Sequence, residues 1–442
     1  MTSEIQIALD PGAAALLDRL HQAGYAAYVV GGCVRDSLLG LSPHDWDLCT
    51  SATPEETLAL FGEKQCIPTG LQHGTITVKW KGKLYETTTF RTEGTYSDGR
   101  HPDHVEFVPD VKEDLARRDF TINAMAYSAE EGLIDPFGGR DDLAKKIVRA
   151  VGEPERRFEE DALRILRLYR FAARFGFAVE PATGQAAKNL CRHLDCVSAE
   201  RIAEELTRLL AAPKPGAYLE ADILAGVIPE LDKQTLPELR DVIDRLEPGT
   251  EAMPTRLAAL LLPLGEDGAK TALKRLKCSN ALMNTVTTLV RESPELLSRT
   301  RGGPFHCPPY CLRQQGPTLR TVLERTPDSP GKSGIELDTK RLLGRYDLSI
   351  VTQLTALYSA LHPEQTEACA ALQREAEQLV AENVCCRVSQ LAVNGRDLMA
   401  AGIQPGPRLR RVLEALLEQV LTGQTPNEKN ALLHAAAEFS AS

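Results

Sequence analysis

Apolar residues recur at helical spacing from Ala13 to Leu20, and Gly24 stops the run, so the chain opens with an amphipathic helix. The short apolar run Tyr25–Val30 reads as a buried strand, and Gly31-Gly32 leads from it into a helical stretch ending at Leu39. Asp45–Cys49 predicts a second strand. Thr53-Pro54-Glu55-Glu56 spells a helix start: Thr53 as N-cap, Pro54 in the first turn, Glu56 closing a capping box. Thr75–Trp80 and Leu84–Phe90 are rich in Thr, Ile, Val and aromatics, and Lys81-Gly82-Lys83 between them predicts a hairpin. The β signal fades after Asp135-Pro136, and from Pro154 onward the pattern is helical. One stretch breaks it: Arg301–Gly334 carries six prolines and five glycines in 34 residues and reads as a loop or hinge.

Composition narrows the class. A chain of 442 residues holds roughly three domains at about 150 residues each. Its 43% hydrophobic and 25% charged residues are those of a globular protein, not a disordered tail or a collagen. The net charge is 51 − 61 = −10, so any nucleic-acid site must be a local basic patch on an acidic body. Eleven cysteines, an odd number with no CxxC, suit reduced thiols and a cytoplasmic protein. The start lacks a signal-peptide pattern, and the longest apolar run, Leu257–Leu264, is too short to span a membrane.

The strand-to-helix turn Tyr28-Val29-Val30-Gly31-Gly32-Cys33-Val34-Arg35-Asp36 lets backbone approach a ligand closely, and free N–H groups at a helix start favour phosphate. Taken alone, a Gly-Gly turn reads first as a plain tight turn. Ten residues after Arg35 comes Asp45-Trp46-Asp47. On a strand these two carboxylates share a face about 7 Å apart and can hold divalent cations; a solvated acidic edge is the alternative. Glu86 on the second hairpin strand is placed to be a third carboxylate, or else one half of a cross-strand charge pair. The ordered series GGxVRD, then DxDL, then Arg117-Arg118-Asp119-Phe120-Thr121-Ile122-Asn123-Ala124 resembles the nucleotidyltransferase head of the tRNA CCA-adding enzyme and bacterial poly(A) polymerase family. The resemblance implies that Asp45 and Asp47 bind Mg²⁺ and that Gly32, Arg35 and Arg118 hold the nucleotide's phosphates and sugar. A buried pair with Asp119 is the alternative for Arg118. The polar segment Phe90–Pro102 reads as a mobile loop, which the resemblance links to addition of the final A.

Arg156–Phe171 reads as one helix on which Arg164, Arg167, Arg170 and Arg174 form a stripe among apolar residues, with Asp161 one turn before Arg164. By itself the stripe is either a cationic groove or a surface helix with ion pairs. Glu160-Asp161-Ala162-Leu163-Arg164-Ile165-Leu166-Arg167 is similar to the family's EDxxRxxR motif, in which the Asp and first Arg read the incoming base. Cytosine and adenine each present an amine beside a ring-nitrogen acceptor, matching a carboxylate (Asp161) and a guanidinium (Arg164); uracil and guanine reverse both groups. Arg167 and Arg170 would then serve triphosphate or stacking contacts, or else pack the helix. Glu200-Arg201-Ile202-Ala203-Glu204-Glu205-Leu206 resembles a later structural motif of the family, with Arg201 orienting the template helix.

The tail segments Val393–Leu398 and Gly402–Pro407 resemble the Bacillus-type branch, whose tail grips the tRNA elbow; Arg408, Arg410 and Arg411 are the candidate phosphate contacts. Cys307 and Cys311 beside His306 lack an evident fourth ligand for zinc. The expected fold is therefore α+β: a nucleotidyltransferase head of mixed sheet and helices (1–150), a helical neck carrying the base template (151–212), a helical body ending in the Pro/Gly-rich segment (213–334) and a helical, tRNA-binding tail (335–442). The expected reaction adds C, C and A to the tRNA 3′ end from CTP and ATP, with Mg²⁺. Addition of A alone, poly(A) synthesis, and non-catalytic RNA binding on the same fold stand as rivals, and the oligomeric state, a homodimer included, is left open.

Overall fold

The structure, a computed structural model, describes residues 5–94, 104–293 and 333–440. It divides into two compact units, Met1–Lys233 and Gln234–Ser442.

The first unit opens with α1 (Pro11–Gln22), capped by Asp10, which accepts from the amides of Gly12 and Ala13, and buries Leu16, Leu17 and Leu20. Strand β1 (Ala27–Val30) is buried along its whole length. The glycine turn starts α2 (Gly32–Leu38), and β2 (Leu48–Thr50) follows. Helix α3 (Pro54–Phe61) begins at the expected capping box, with Glu56 N–H donating to Thr53 at 3.3 Å and Thr53 N–H to Glu56 at 2.8 Å. Strand β3 (Cys66–Gly70) leads into the hairpin of β4 (Thr75–Trp80) and β5 (Lys83–Thr89). Its two turn residues, Lys81 and Gly82, both have positive φ (47° and 84°), the backbone that matches a two-residue loop to the strands' twist.

A small ribbon of β6 (Arg91–Glu93) and β7 (Val105–Phe107) comes next, then α4 (Val111–Ala116), β8 (Ala126–Ser128), β9 (Gly132–Ile134) and α5 (Gly139–Lys145). The main sheet runs β3-β4-β5-β2-β1-β8-β9. β2 lies parallel to β5, with Leu48 beside Thr87, and antiparallel to β1, with Leu48 beside Val29. Tyr28, Val30, Cys49, Phe90, Leu115 and Ala126 pack one face of it. The expected mobile loop Phe90–Pro102 is thus structured at its start, as β6; residues 95–103 lie outside the described residues.

Beyond this sheet the unit is helical: α6 (Pro154–Glu160), α7 (Leu163–Phe175), α8 (Pro181–Asn189), α9 (Ala199–Leu210) and α10 (Ala221–Val227). One exception to the all-helical expectation is a two-residue strand at Ala178–Val179, parallel to Ile147–Val148. Arginines of α6 and α7 bind groups of the head, which is why residues 1–150 and 151–212 share one compact unit. The first compact unit runs on to Lys233.

The second unit contains α11 (Leu236–Arg245), α12 (Met253–Leu261), α13 (Gly265–Arg275), α14 (Asn280–Glu292), α15 (Ser333–Arg345), α16 (Leu348–Leu361), α17 (Thr366–Ala381), α18 (Gly395–Ala400), α19 (Pro407–Leu421) and α20 (Lys429–Ser440). Asn394 caps α18 in a reciprocal box with Asp397, and Leu398, Leu416 and Leu432 form the fully buried centre of the last three helices. Most of Arg301–Gly334, with His306, Cys307 and Cys311, lies outside the described residues.

Candidate active site

Gly31 closes β1 with φ 78°, a left-handed conformation, and a Cβ there would sit 3.0 Å from Arg118 Nη1. The backbone conformation favours glycine, and the Arg118 tip packs into the space its missing side chain leaves. Gly32 begins α2 directly behind it.

Asp45 and Asp47 lie just before β2 rather than on it, a correction to the expected strand Asp45–Cys49. Only the carbonyl of Asp47 joins the ladder, accepting from Val30 N–H at 2.9 Å. Because Leu48 is registered with Thr87 of the parallel β5, Asp47 falls beside Glu86. All three carboxylates are exposed to solvent. Crowding by protein, by Glu86 and by Asp45 nevertheless pushes the Asp47 carboxyl up to about 6, against the opposing pull of Arg118. Such repulsion between carboxylates is what a divalent cation relieves. Among the described residues no group of three or more His, Cys, Asp or Glu could enclose a metal ion. The donor set fits an ion that takes one or two carboxylates and completes its shell with water and substrate phosphates, as Mg²⁺ does.

Arg118 packs over the glycine turn, and its side chain is about one-fifth exposed. Its carboxylate partner is Asp114, at 3.4 Å, not the neighbouring Asp119. Its buried Nε has no hydrogen-bond partner among the described residues. A guanidinium so lightly engaged keeps donors for an anion. Arg35 differs. It is only 4% exposed, donates to Asn123 Oδ1 at 2.5 Å and to Asp36 at 2.8 Å, and lies over the rings of Phe171 and Phe175. In the structure its donors hold the turn in place.

The expected single helix Arg156–Phe171 is broken. Helix α6 ends at Glu160, Asp161 is extended (φ −145°, ψ 101°), and α7 starts at Leu163. Asp161 causes the break locally, because its Oδ1 accepts from Leu163 N–H at 3.1 Å in competition with helical bonding. Its Oδ2 accepts from Arg201 on α9 at 2.8 Å. Arg164 donates to the carbonyl of Arg157 at 3.1 Å, to Glu160 at 2.8 Å and to the carbonyl of Arg117 at 3.1 Å. Of a guanidinium's five N–H groups two remain, and each Asp161 oxygen keeps a lone pair.

Arg167 and Arg170 are engaged within the protein. Arg167 gives two bonds to Asp119, at 2.9 and 2.7 Å, and lies 3.7 Å from Glu205. Arg170 Nε sits 2.5 Å from Glu205, an ion pair whose angle is poor for a hydrogen bond. Burial raises the Asp119 carboxyl, but Arg167, Asn123 and Arg164 overcome this and hold it at about 2. Both arginines thus make local pairs in the structure. Asn123 and Glu160 lie within the motifs read from the sequence, and Phe171 beside the arginine stripe, but none of the three was assigned a role there. In the tail, Arg408 donates to the carbonyl of Phe439 at 3.0 Å and Arg410 to Glu414 at 2.8 Å.

Comparison with known proteins agrees with this geometry. Residues 27–149 match the model of the "Poly A polymerase head domain", 176–235 the "Probable RNA and SrmB- binding site of polymerase A", and 336–436 "tRNA nucleotidyltransferase domain 2". The chain is 36% identical to the CCA-adding enzymes of Limosilactobacillus fermentum and Levilactobacillus brevis, in each case over 96% of both proteins. Its fold is similar to that of the Bacillus stearothermophilus CCA-adding enzyme in complex with CTP, with TM-score 0.73, 29% identity and 98% of each chain covered. It is also like the Thermotoga maritima CCA-adding enzyme complexed with tRNA, with TM-score 0.68, 21% identity and 99% and 100% coverage, which speaks to the fold alone. On the strength of near-full-length identity, the chain belongs to the family of CCA-adding enzymes, the tRNA nucleotidyltransferases.

Proposed function

We propose that this enzyme adds C, C and A in turn to the 3′ end of tRNA without a nucleic-acid template, consuming CTP and ATP and releasing pyrophosphate. The observation that carries the reading is the convergence of Asp45, Asp47 and Glu86 beside the Gly31 turn and Arg118. In each step the terminal ribose hydroxyl of the RNA forms a bond to the α-phosphorus, the α–β bridging bond breaks, and pyrophosphate carries the negative charge away.

Asp45 and Asp47 are the residues that would hold Mg²⁺, with Glu86 assisting. When bound, that metal lowers the pKa of the attacking hydroxyl and neutralises the leaving phosphates. Arg118 and the close backbone of Gly31-Gly32 hold the triphosphate and ribose. Asp161 accepts from the amine of C or A, and Arg164 donates to the adjacent ring nitrogen. U and G would set acceptor against carboxylate and donor against guanidinium, and a buried hydrogen-bonding site rejects such mismatches strongly. Arg167 and Arg170 brace this pair through Asp119 and Glu205. The tail binds the tRNA elsewhere along its length, with Arg408, Arg410 and Arg411 as its candidate phosphate contacts. No helix among the described residues is long and apolar enough to cross a membrane, and we place the enzyme in the cytoplasm with its nucleotides and tRNA.

The test is a gel assay on three tRNAs, ending before CCA, after C and after CC, each given single nucleotides and then CTP plus ATP with Mg²⁺. Stepwise C, C, A and then arrest is expected. Addition of A only to the CC-ending tRNA, or a long A ladder, would replace the reading, and no incorporation at all would end it.

A further inference from the structure

Phe171 stands at the junction of three sequence motifs. The ring is buried, and three guanidinium carbons surround its centroid: Arg170 at 4.0 Å, Arg35 at 5.2 Å and Arg167 at 5.4 Å. Phe120 meets the ring edge-on at 5.9 Å. A π-face attracts a cation electrostatically, and the attraction grows where water is excluded. Three arginines gathered on one ring would repel each other without it and without the acids that flank them.

The contacts close a circuit. Arg35, in the glycine-turn helix α2, donates to Asn123 at 2.5 Å; Asn123 donates to Asp119 at 3.0 Å; Asp119 accepts from Arg167 of α7 at 2.7 Å; and Arg167 and Arg35 both return to Phe171. One side of the circuit carries the phosphate turn. The other is the helix that starts beside Asp161 and Arg164. We infer that Phe171 is a positioning residue, the pivot that sets the spacing between the triphosphate-binding turn and the base-reading pair, and so controls nucleotide choice rather than nucleotide affinity. The inference rests on the proposed function, since it needs Asp161 and Arg164 to read the base.

The mechanism follows from geometry. A nucleotide anchored by its phosphates presents its base at a fixed reach. If α2 and α7 slide against each other, the base still binds but meets Asp161 and Arg164 out of line. Discrimination by buried hydrogen bonds depends on that alignment, and small misplacements in an active site cost large factors in rate.

Phe171→Leu keeps an apolar side chain of similar volume and removes the ring. Arg35→Lys keeps the charge but loses the planar group that stacks and forks. Phe171→Tyr restores the ring. The measurement is kcat and KM for CTP and UTP on tRNA lacking CCA, with thermal melting alongside. For F171L and R35K the ratio of UTP to CTP incorporation is expected to rise by ~10-fold or more, with kcat for CTP falling and KM for CTP nearly unchanged, while F171Y behaves as the unaltered enzyme. Proportional loss of kcat for both nucleotides with an unchanged ratio, or a rise in KM alone, would overturn the inference. If F171L does not fold, R35K decides. An unaltered enzyme that adds neither C nor A would instead fail the proposed function, a result distinguishable from either.

Discussion

Arg201 holds Asp161 at 2.8 Å across 40 residues of chain, from helix α9 to the break between α6 and α7. The break leaves the Asp161 side chain with a local bond on one oxygen only, so the arginine supplies the second constraint that a base-reading carboxylate needs. Pre-organised acceptors cost less to align when the ligand arrives. Arg201→Met is expected to lower kcat/KM for CTP and ATP by ~10-fold or more, the scale of a lost charge-assisted hydrogen bond. Because both side chains are partly exposed, stability should fall by no more than about 1 kcal/mol. Steady-state kinetics and chemical denaturation together check this; a large loss of stability with intact kinetics would make the pair a structural strut instead.

Asp47→Ala should abolish nucleotide addition, by ~10³-fold or more, since a metal-supported transition state gains several kcal/mol from its ligands. Binding of tRNA measured by filter retention should persist. Asp47→Asn should also raise the melting temperature of the metal-free protein, because it relieves the desolvation of the charge and the repulsion from Glu86 and Asp45 that together push this carboxyl up to about 6.

The buried Asp119 should make the first unit acid-labile. Its folded pKa, about 2, lies below the ordinary 3.8 because Arg167, Asn123 and Arg164 outweigh burial. A depressed carboxyl contributes stability that is fully present above about pH 4 and is lost as pH falls towards 2. The difference corresponds to about 2 kcal/mol. Acid titration followed by circular dichroism should show this loss, and Asp119→Asn should remove that part of the pH dependence while lowering stability at neutral pH.

Thr53→Ala tests a feature remote from the chemistry. It removes the acceptor of the α3 capping box, and the expected cost is about 1 kcal/mol. Urea denaturation measures it, and kcat/KM for CTP should not change.

Much of the head was legible from the sequence. The capping box at Thr53, the hairpin around Lys81-Gly82 and the strand before Gly31 all appear where the pattern put them. Each depends on residues within four or five positions of one another, so local chemistry suffices. The departures come from details that the pattern does not carry. Asp45 and Asp47 fall short of the strand because the ladder with β1 reaches no further than the Asp47 carbonyl. The helix Arg156–Phe171 breaks at Asp161, where a short side chain competes for a backbone amide and Arg201 secures it.

Periodicity marked Arg164, Arg167 and Arg170 as one stripe and could not rank them, because equal spacing gives equal signal. By itself, then, the sequence determined the order of the motifs, the mixed sheet followed by helices, and the acidic and basic residues available for the chemistry. Only the tertiary structure decided which of those charges remain available. Arg35 finds Asn123 at a separation of 88 residues and Arg167 finds Asp119 at 48. Both make these bonds inside the protein, whereas the Arg118 Nε beside Gly31 has no hydrogen-bond partner among the described residues. A buried cation must be matched by whichever acid or ring the fold brings to it, and that matching is a property of distant segments meeting.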